Sequence, residues 1–107
     1  MRAPMLIRFG ELLIDLIKYR VVLGHEPVIL SYREYALLVY LATHAGHVVT
    51  RRRLLGEGMG RHDLGGLRMV DEHIRHIKSK LERPGRVFIH ESDEGYTFAL
   101  AGGPQVT

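Results

Sequence analysis

Four apolar residues, Val70, Ile74, Ile77 and Leu81, recur at the spacing of one helical face, and Pro84-Gly85 ends the segment that carries them. A strand cannot use that spacing, because its successive side chains point to opposite faces. At about 100° per residue, the far side of the same helix presents Arg68, Glu72, Arg75, His76, Ser79 and Arg83. The rest of the chain must therefore cover one narrow apolar stripe and leave a largely basic face uncovered.

Elements of a different period surround this helix. Leu6–Phe9, Glu11–Leu16, Tyr19–Leu23 and Val28–Leu30 are short aliphatic runs parted by Gly10 and by the breaker cluster Gly24-His25-Glu26-Pro27. Connections this short predict a small antiparallel meander rather than crossover units. The period changes at Ser31, which with Glu34 makes a capping box ahead of Tyr35, Leu38, Val39 and Ala42. That helix is expected to stop near Ala45-Gly46, with Val48-Val49 extended after it. Thr50 caps a short helix through Arg51–Leu55 that ends in Gly56–Gly60, and Arg61–Gly66 reads as a polar loop. Beyond the third helix, about 67–83, the runs Val87–His90 and Tyr96–Leu100 flank Glu91–Gly95 as a hairpin.

The expected class is α+β: a winged helix-turn-helix with an N-terminal antiparallel β-meander, three helices and a C-terminal β-hairpin wing. A length of 107 residues fits one domain. Its core is expected over about 6–100, with 101–107 as a flexible tail.

Several functions are disfavoured at this level. The chain has no cysteine, so disulfides, thiolate metal sites and thiol nucleophiles are absent, in keeping with a reducing cytoplasm. Arg8, Glu11, Asp15 and Lys18 interrupt the apolar opening, so it reads as neither a membrane span nor a signal segment. Asp71, Glu72 and His73 are accompanied by no nucleophile, oxyanion loop or phosphate-cradling glycine motif, so neither an enzyme nor a cofactor is expected. The pairs His44/His47 and His73/His76 have helical i, i+3 spacing, but the first straddles a helix end and no cysteine supports either; no metal site is expected. The five tyrosines are scattered over different elements and read as packing, with Tyr96 anchoring the hairpin to the helices.

Charge points elsewhere. Residues 51–83 carry nine Lys/Arg against five Asp/Glu, whereas residues 84–107 carry one against three. A polyanion is thus met by the middle of the chain, and an α-helix with a polar, basic face fits the major groove of DNA.

The order of these pieces is similar to a known family. Val28-Ile29-Leu30-Ser31-Tyr32-Arg33-Glu34-Tyr35 opens the first helix, and Ala45-Gly46-His47-Val48-Val49-Thr50-Arg51-Arg52-Arg53-Leu54-Leu55 resembles a G-x-V-V-[ST]-R-x-x-L-L run. Val70-Asp71-Glu72-His73-Ile74, Lys78-Ser79-Lys80-Leu81-Glu82 and Gly95-Tyr96 follow in order. From Leu6 to Leu100 the chain resembles the C-terminal effector domain of the OmpR/PhoB family of response regulators. The resemblance implies a sequence-specific regulator of transcription that binds double-stranded DNA with its third helix in the major groove. Arg75, His76 and Ser79 are then candidates for base edges, and Thr50, Arg68, His73 and Lys78 for phosphates. The amides of Arg51 and Arg52 add a helix N-terminus suited to a phosphate, and His90 and Ser92 are the wing candidates.

The resemblance also implies a dimer on DNA, packed head to tail on direct repeats, and contact with RNA polymerase through the loop 56–66. The family carries a phosphorylatable receiver ahead of this module, and here Met1 stands a few residues before the first strand; a stand-alone regulator and an excised domain both stay open.

The wing departs from the pattern V-R-G-x-G-Y-R. Glu91-Ser92-Asp93-Glu94-Gly95-Tyr96-Thr97 lacks both arginines and carries three acids. Losing one such contact costs roughly 1–3 kcal/mol. A carboxylate about 4 Å from a phosphate adds roughly 1 kcal/mol of repulsion in water and about 4 at intermediate dielectric. This wing is therefore not expected to enter the minor groove. The acidic wing and Glu72 on the reading face keep a second class in view: a winged-helix protein-interaction module that contacts RNA polymerase or another regulator. Salt separates the two, since about five phosphate contacts predict a slope of log K against log[salt] of roughly −4 to −5.

Overall fold

A computed structural model of the chain describes residues 5–60, 66–84, 86–99 and 105–106. Its opening is the expected meander, β1 (Leu6–Phe9), β2 (Leu12–Asp15), β3 (Arg20–Leu23) and β4 (Glu26–Val28), each antiparallel to the one before. The register aligns Ile7 with Ile14, Ile14 with Val21 and Val21 with Val28. That row faces the interior, while Arg8 on the alternate face of β1 is exposed, the period-two pattern of a half-buried sheet.

Both edges of this sheet differ from the sequence reading. The breaker cluster shrinks to the turn Gly24-His25, and Glu26–Val28, not Val28–Leu30, pairs with β3. Pro27 is tolerated there because β4 is the edge of its sheet, where a missing N–H breaks no ladder. At the other side, Gln105–Val106 form β8 against β1. This corrects the tail expected over 101–107 at these two residues: an uncovered β1 offers unpaired backbone groups that another segment can use.

Helix α1 (Tyr32–Thr43) opens on the capping box, with the Ser31 hydroxyl accepting from the Glu34 amide at 3.2 Å and the Glu34 carboxylate accepting from the Ser31 amide at 3.0 Å. It buries Tyr35, Leu37, Leu38, Leu41 and Ala42. After β5 (Val48–Val49), Thr50 caps α2 (Arg51–Arg53), its hydroxyl accepting from the Arg53 amide at 3.1 Å. The glycines that follow do not end the helix. Leu54–Gly60 continues as a π-helical segment packed on α1, where a Cβ on Gly58 would lie 3.1 Å from the Leu37 side chain. Of the expected loop Arg61–Gly66, residues 61–65 lie outside the described residues, and Gly66 already begins α3 (Gly66–Leu81).

The buried residues of α3 are Val70, Ile74, Ile77 and Leu81, the stripe legible in the sequence. The wing is β6 (Ile89–Ser92) and β7 (Gly95–Phe98), joined by a two-residue turn, Asp93-Glu94, shorter than the loop expected over Glu91–Gly95. β5 pairs with the free side of β7, making a second sheet in the order β5-β7-β6. Both sheets share one core. Phe9 of the meander meets Phe98 of the wing with ring centroids 4.6 Å apart, in one cluster with Leu37, Leu41, Ile74 and Ile77. No helix among the described residues is long and apolar enough to cross a membrane. Meander, three helices and hairpin wing are thus the observed architecture.

Candidate nucleic-acid interface

The face of α3 opposite its buried stripe is open. Arg68, Arg75 and Ser79 are exposed, and at about 100° per residue they point within roughly 50° of the direction opposite the stripe. Neither Arg68 nor Arg75 makes an ion pair with any described residue, and the same holds for the exposed Arg52 on α2. The Ser79 hydroxyl donates to the His76 carbonyl at 2.8 Å, which leaves its oxygen able to accept. Three cations and a hydroxyl therefore face solvent with unspent hydrogen-bonding capacity.

Other residues expected on this surface are engaged elsewhere. His73 lies only about 60° from the stripe by the same helical rotation, and both its ring nitrogens are buried without a hydrogen-bond partner. Its ring nitrogens are therefore not presented on the open face of α3, where the expected phosphate contact would need them. Lys78 lies about 80° from the stripe on the other flank. Its ammonium donates to the Ile89 carbonyl and pairs with Glu82 at 2.8 Å. It ties α3 to the wing, so the ammonium expected at a phosphate is engaged within the fold. His76, 53% exposed, sits 3.4 Å from the carboxylate of Glu34 and faces α1 as much as solvent. Glu34 is only 5% exposed. Burial pushes its carboxyl up, but the Lys80 ammonium at 2.8 Å and the Ser31 amide outweigh that and hold it below its usual value.

Arg51 is also committed. Its guanidinium donates to Asp71 at 2.8 Å and to Glu91 at 2.7 Å, lies over the Tyr96 ring, and is 23% exposed. As a phosphate ligand its side chain is already spent, because the acids of α3 and of the wing converge on it. The Tyr96 hydroxyl donates to the same Asp71 oxygen at 2.6 Å, so Tyr96 does anchor the hairpin to α3. Burial and the Asp71 carboxylate push the Tyr96 phenol up. Burial also raises Asp71, but the Tyr96 hydroxyl and Arg51 outweigh it and hold the carboxyl down.

One of the three wing acids is thus neutralised within the fold, while Asp93 and Glu94 stay exposed at the tip. His90 and Ser92 are exposed on β6, and the Ser92 hydroxyl accepts from the Glu94 amide at 3.3 Å. Thr50 is spent as an acceptor on its own helix but retains a hydroxyl proton to donate.

Sequence reasoning missed Glu82, whose carboxylate accepts from the amides of Phe88 and Ile89 at 2.9 and 2.8 Å and pins the entry to β6. The i, i+4 pair Lys78/Glu82 was a readable signal, but the amides it serves were not. The strand starts at Ile89 rather than Val87 in consequence.

The geometry has counterparts. The family model described as "Transcriptional regulatory protein, C terminal" matches residues 25–98. The transcriptional regulatory protein SrrA of Staphylococcus aureus is 39% identical over 77 residues, which are 72% of this chain and 32% of SrrA. The chain thus spans about a third of that relative's length. The crystal structure of the Klebsiella pneumoniae RstA DNA-binding domain in complex with the RstA box is similar with a TM-score of 0.76 and 37% identity, covering 88% of this chain and 96% of that one. The response regulator DrrB of Thermotoga maritima, an OmpR/PhoB homologue, is similar with a TM-score of 0.79 and 35% identity, covering 89% of this chain and 44% of DrrB. With its meander, capped helices and hairpin wing, the chain belongs to the family of C-terminal domains of transcriptional regulatory proteins of the OmpR/PhoB type.

Proposed function

We propose that this domain binds double-stranded DNA in a sequence-specific manner and regulates transcription, with α3 in the major groove. The observation that carries the reading is the uncovered face of α3, on which Arg68 and Arg75 make no ion pair with any described residue and the exposed Ser79 oxygen remains able to accept. Arg75 in the second half of the helix and Ser79 in its last turn are placed for base edges, and Arg68 at its start and Arg52 on α2 for flanking phosphates. The RstA domain, solved on its own DNA box, supports the same use of the fold.

The wing lies beside the duplex without entering the minor groove, since Asp93 and Glu94 at its tip repel phosphates. One module of this kind covers only about 600–1,000 Å² on DNA. Two protomers on half-sites about one helical turn apart then supply useful affinity. The segment 56–66 is the proposed contact for RNA polymerase, and the cytoplasm is the place of action. The domain performs no catalysis in this reading.

Selection of random duplex DNA with the purified domain tests the assignment. An enriched motif is expected. Arg75→Ala should weaken binding to it by about 1–3 kcal/mol and relax one position. Arg68→Ala should weaken all sequences alike. No enriched motif, with weak binding indifferent to both changes, would transfer the assignment to a protein-interaction module working through the acidic wing tip.

A further inference from the structure

We propose that Glu34, His73 and His76 form a binding site for a divalent transition-metal ion of the zinc class, where α1 meets α3. One ligand atom from each lies within 4.8 Å of the others, a grouping that no other His, Cys, Asp or Glu among the described residues achieves. Proximity alone is weak, since Glu34 already has Lys80 beside it. The second observation is independent: both ring nitrogens of His73 are buried, and neither has a hydrogen-bond partner. Folded proteins pair nearly all such atoms, and an unpaired one costs about 1–3 kcal/mol. A neutral imidazole always keeps one bare nitrogen, and a metal ion is a partner that such a nitrogen accepts.

The three residues are held on rigid elements. Glu34 is the third residue of α1, its carboxylate aimed by the Ser31 amide. His73 and His76 share one side of α3, one turn apart, and the nearest nitrogen of His76 is already 3.4 Å from Glu34. Zinc ligands at about 2.0–2.1 Å from the ion stand roughly 3.3 Å apart. Small rotations of the exposed His76 and of His73 close that difference without moving either helix. The exposure of His76 also supplies an entry path and leaves a fourth position for water. Two imidazoles with one carboxylate suit Zn²⁺ or Co²⁺ and are a poor set for Mg²⁺ or Ca²⁺, which prefer all-oxygen shells. Lys80 is the competitor, because its ammonium occupies Glu34 at 2.8 Å and repels a dication. A bound ion joins α1 to the helix proposed to read DNA, yet the site itself does not depend on that proposal.

Titration of the untagged, chelator-stripped chain with Zn²⁺ by calorimetry, and with Co²⁺ by visible absorption, tests the site without DNA. One equivalent is expected to bind, with the intense absorption of four-coordinate Co²⁺. His76→Gln, at an exposed position, should weaken it by at least about tenfold, and His73→Gln by as much. Lys80→Met should tighten it, and His44→Gln should change nothing. Absence of saturable binding in the parent chain and in Lys80→Met, or binding that survives His76→Gln, overturns the proposal.

Discussion

Asp15 does several tasks at the end of one strand. One carboxylate oxygen accepts from the amides of Ile17 and Lys18 at 2.9 and 3.0 Å, the other lies 3.6 Å from Arg20, and its carbonyl accepts the Tyr35 hydroxyl at 3.1 Å. The turn it organises carries Tyr19 at φ 54°, a left-handed conformation costly for a residue with a side chain. The Lys18 amide lowers the Asp15 carboxyl; slight burial opposes it, and the Ile17 amide and Arg20 add to the lowering, so its folded value lies below the ordinary 3.8. A depressed carboxyl stabilises the fold above its unfolded value and loses that contribution as pH falls through the folded one. Asp15→Asn keeps an acceptor but not the charge. The parent should therefore be more stable than the variant at neutral pH, and the gap should close below pH 3.8, as read from urea midpoints at a series of pH values. A gap that stays constant into strong acid would show that the charge contributes nothing.

Among the elements, the wing is the one whose placement decides the DNA surface, and it is fixed from both sides. From α3, Lys78 reaches the Ile89 carbonyl, Glu82 reaches two amides of the β6 entry, and Asp71 holds Tyr96 and Arg51. From β5, Gly95 permits the approach: at φ 153° it lies so close to Val49 that an added Cβ would stand 2.1 Å from the Val49 carbonyl oxygen. Gly95→Ala must push β7 off β5, and it should cost more than about 2 kcal/mol in urea unfolding. The exposed His90→Ala should stay within about 0.5 kcal/mol.

The contrast between these contacts and the stripe marks what a sequence can show. Val70, Ile74, Ile77 and Leu81, the Ser31/Glu34 box and the Thr50 cap are local, and each was legible because neighbours in sequence make it. The pairing of β5 with β7 and the continued helix through Leu54–Gly60, packed on α1, depend on partners far along the chain. The site divides the same way. Arg68, Arg75 and Ser79 follow from helical angle alone, and stricter use of that angle would have moved His73 and Lys78 off the reading face. The capture of Arg51 by Asp71 and Glu91 requires the fold, with separations of 20 and 40 residues.

For the whole molecule, the number of cations available to a polyanion is smaller than the sequence count. Of the nine Lys/Arg in residues 51–83, Arg51, Arg53, Lys78 and Lys80 are paired with carboxylates in the fold. Arg52, Arg68, Arg75 and Arg83 remain exposed without an ion-pair partner among the described residues, and of these Arg83 lies beyond the end of α3, past the face proposed to read DNA. Each phosphate neutralised contributes about −0.9 to the slope of log K against log[salt], so one protomer on one half-site should give a slope near −3, and a tandem pair on a direct repeat near −5. The paired cations contribute less because taking one from its carboxylate frees a negative charge next to the DNA. Binding titrations on half-site and full-site duplexes over a range of KCl concentrations read both values. A slope near −5 on the half-site alone would mean that Arg51 and Lys78 leave Glu91 and Glu82 on binding. In that case the wing is released from α3 as DNA is engaged, and Glu91→Gln should then raise half-site affinity; with the network intact on DNA, the same substitution should leave the slope near −3.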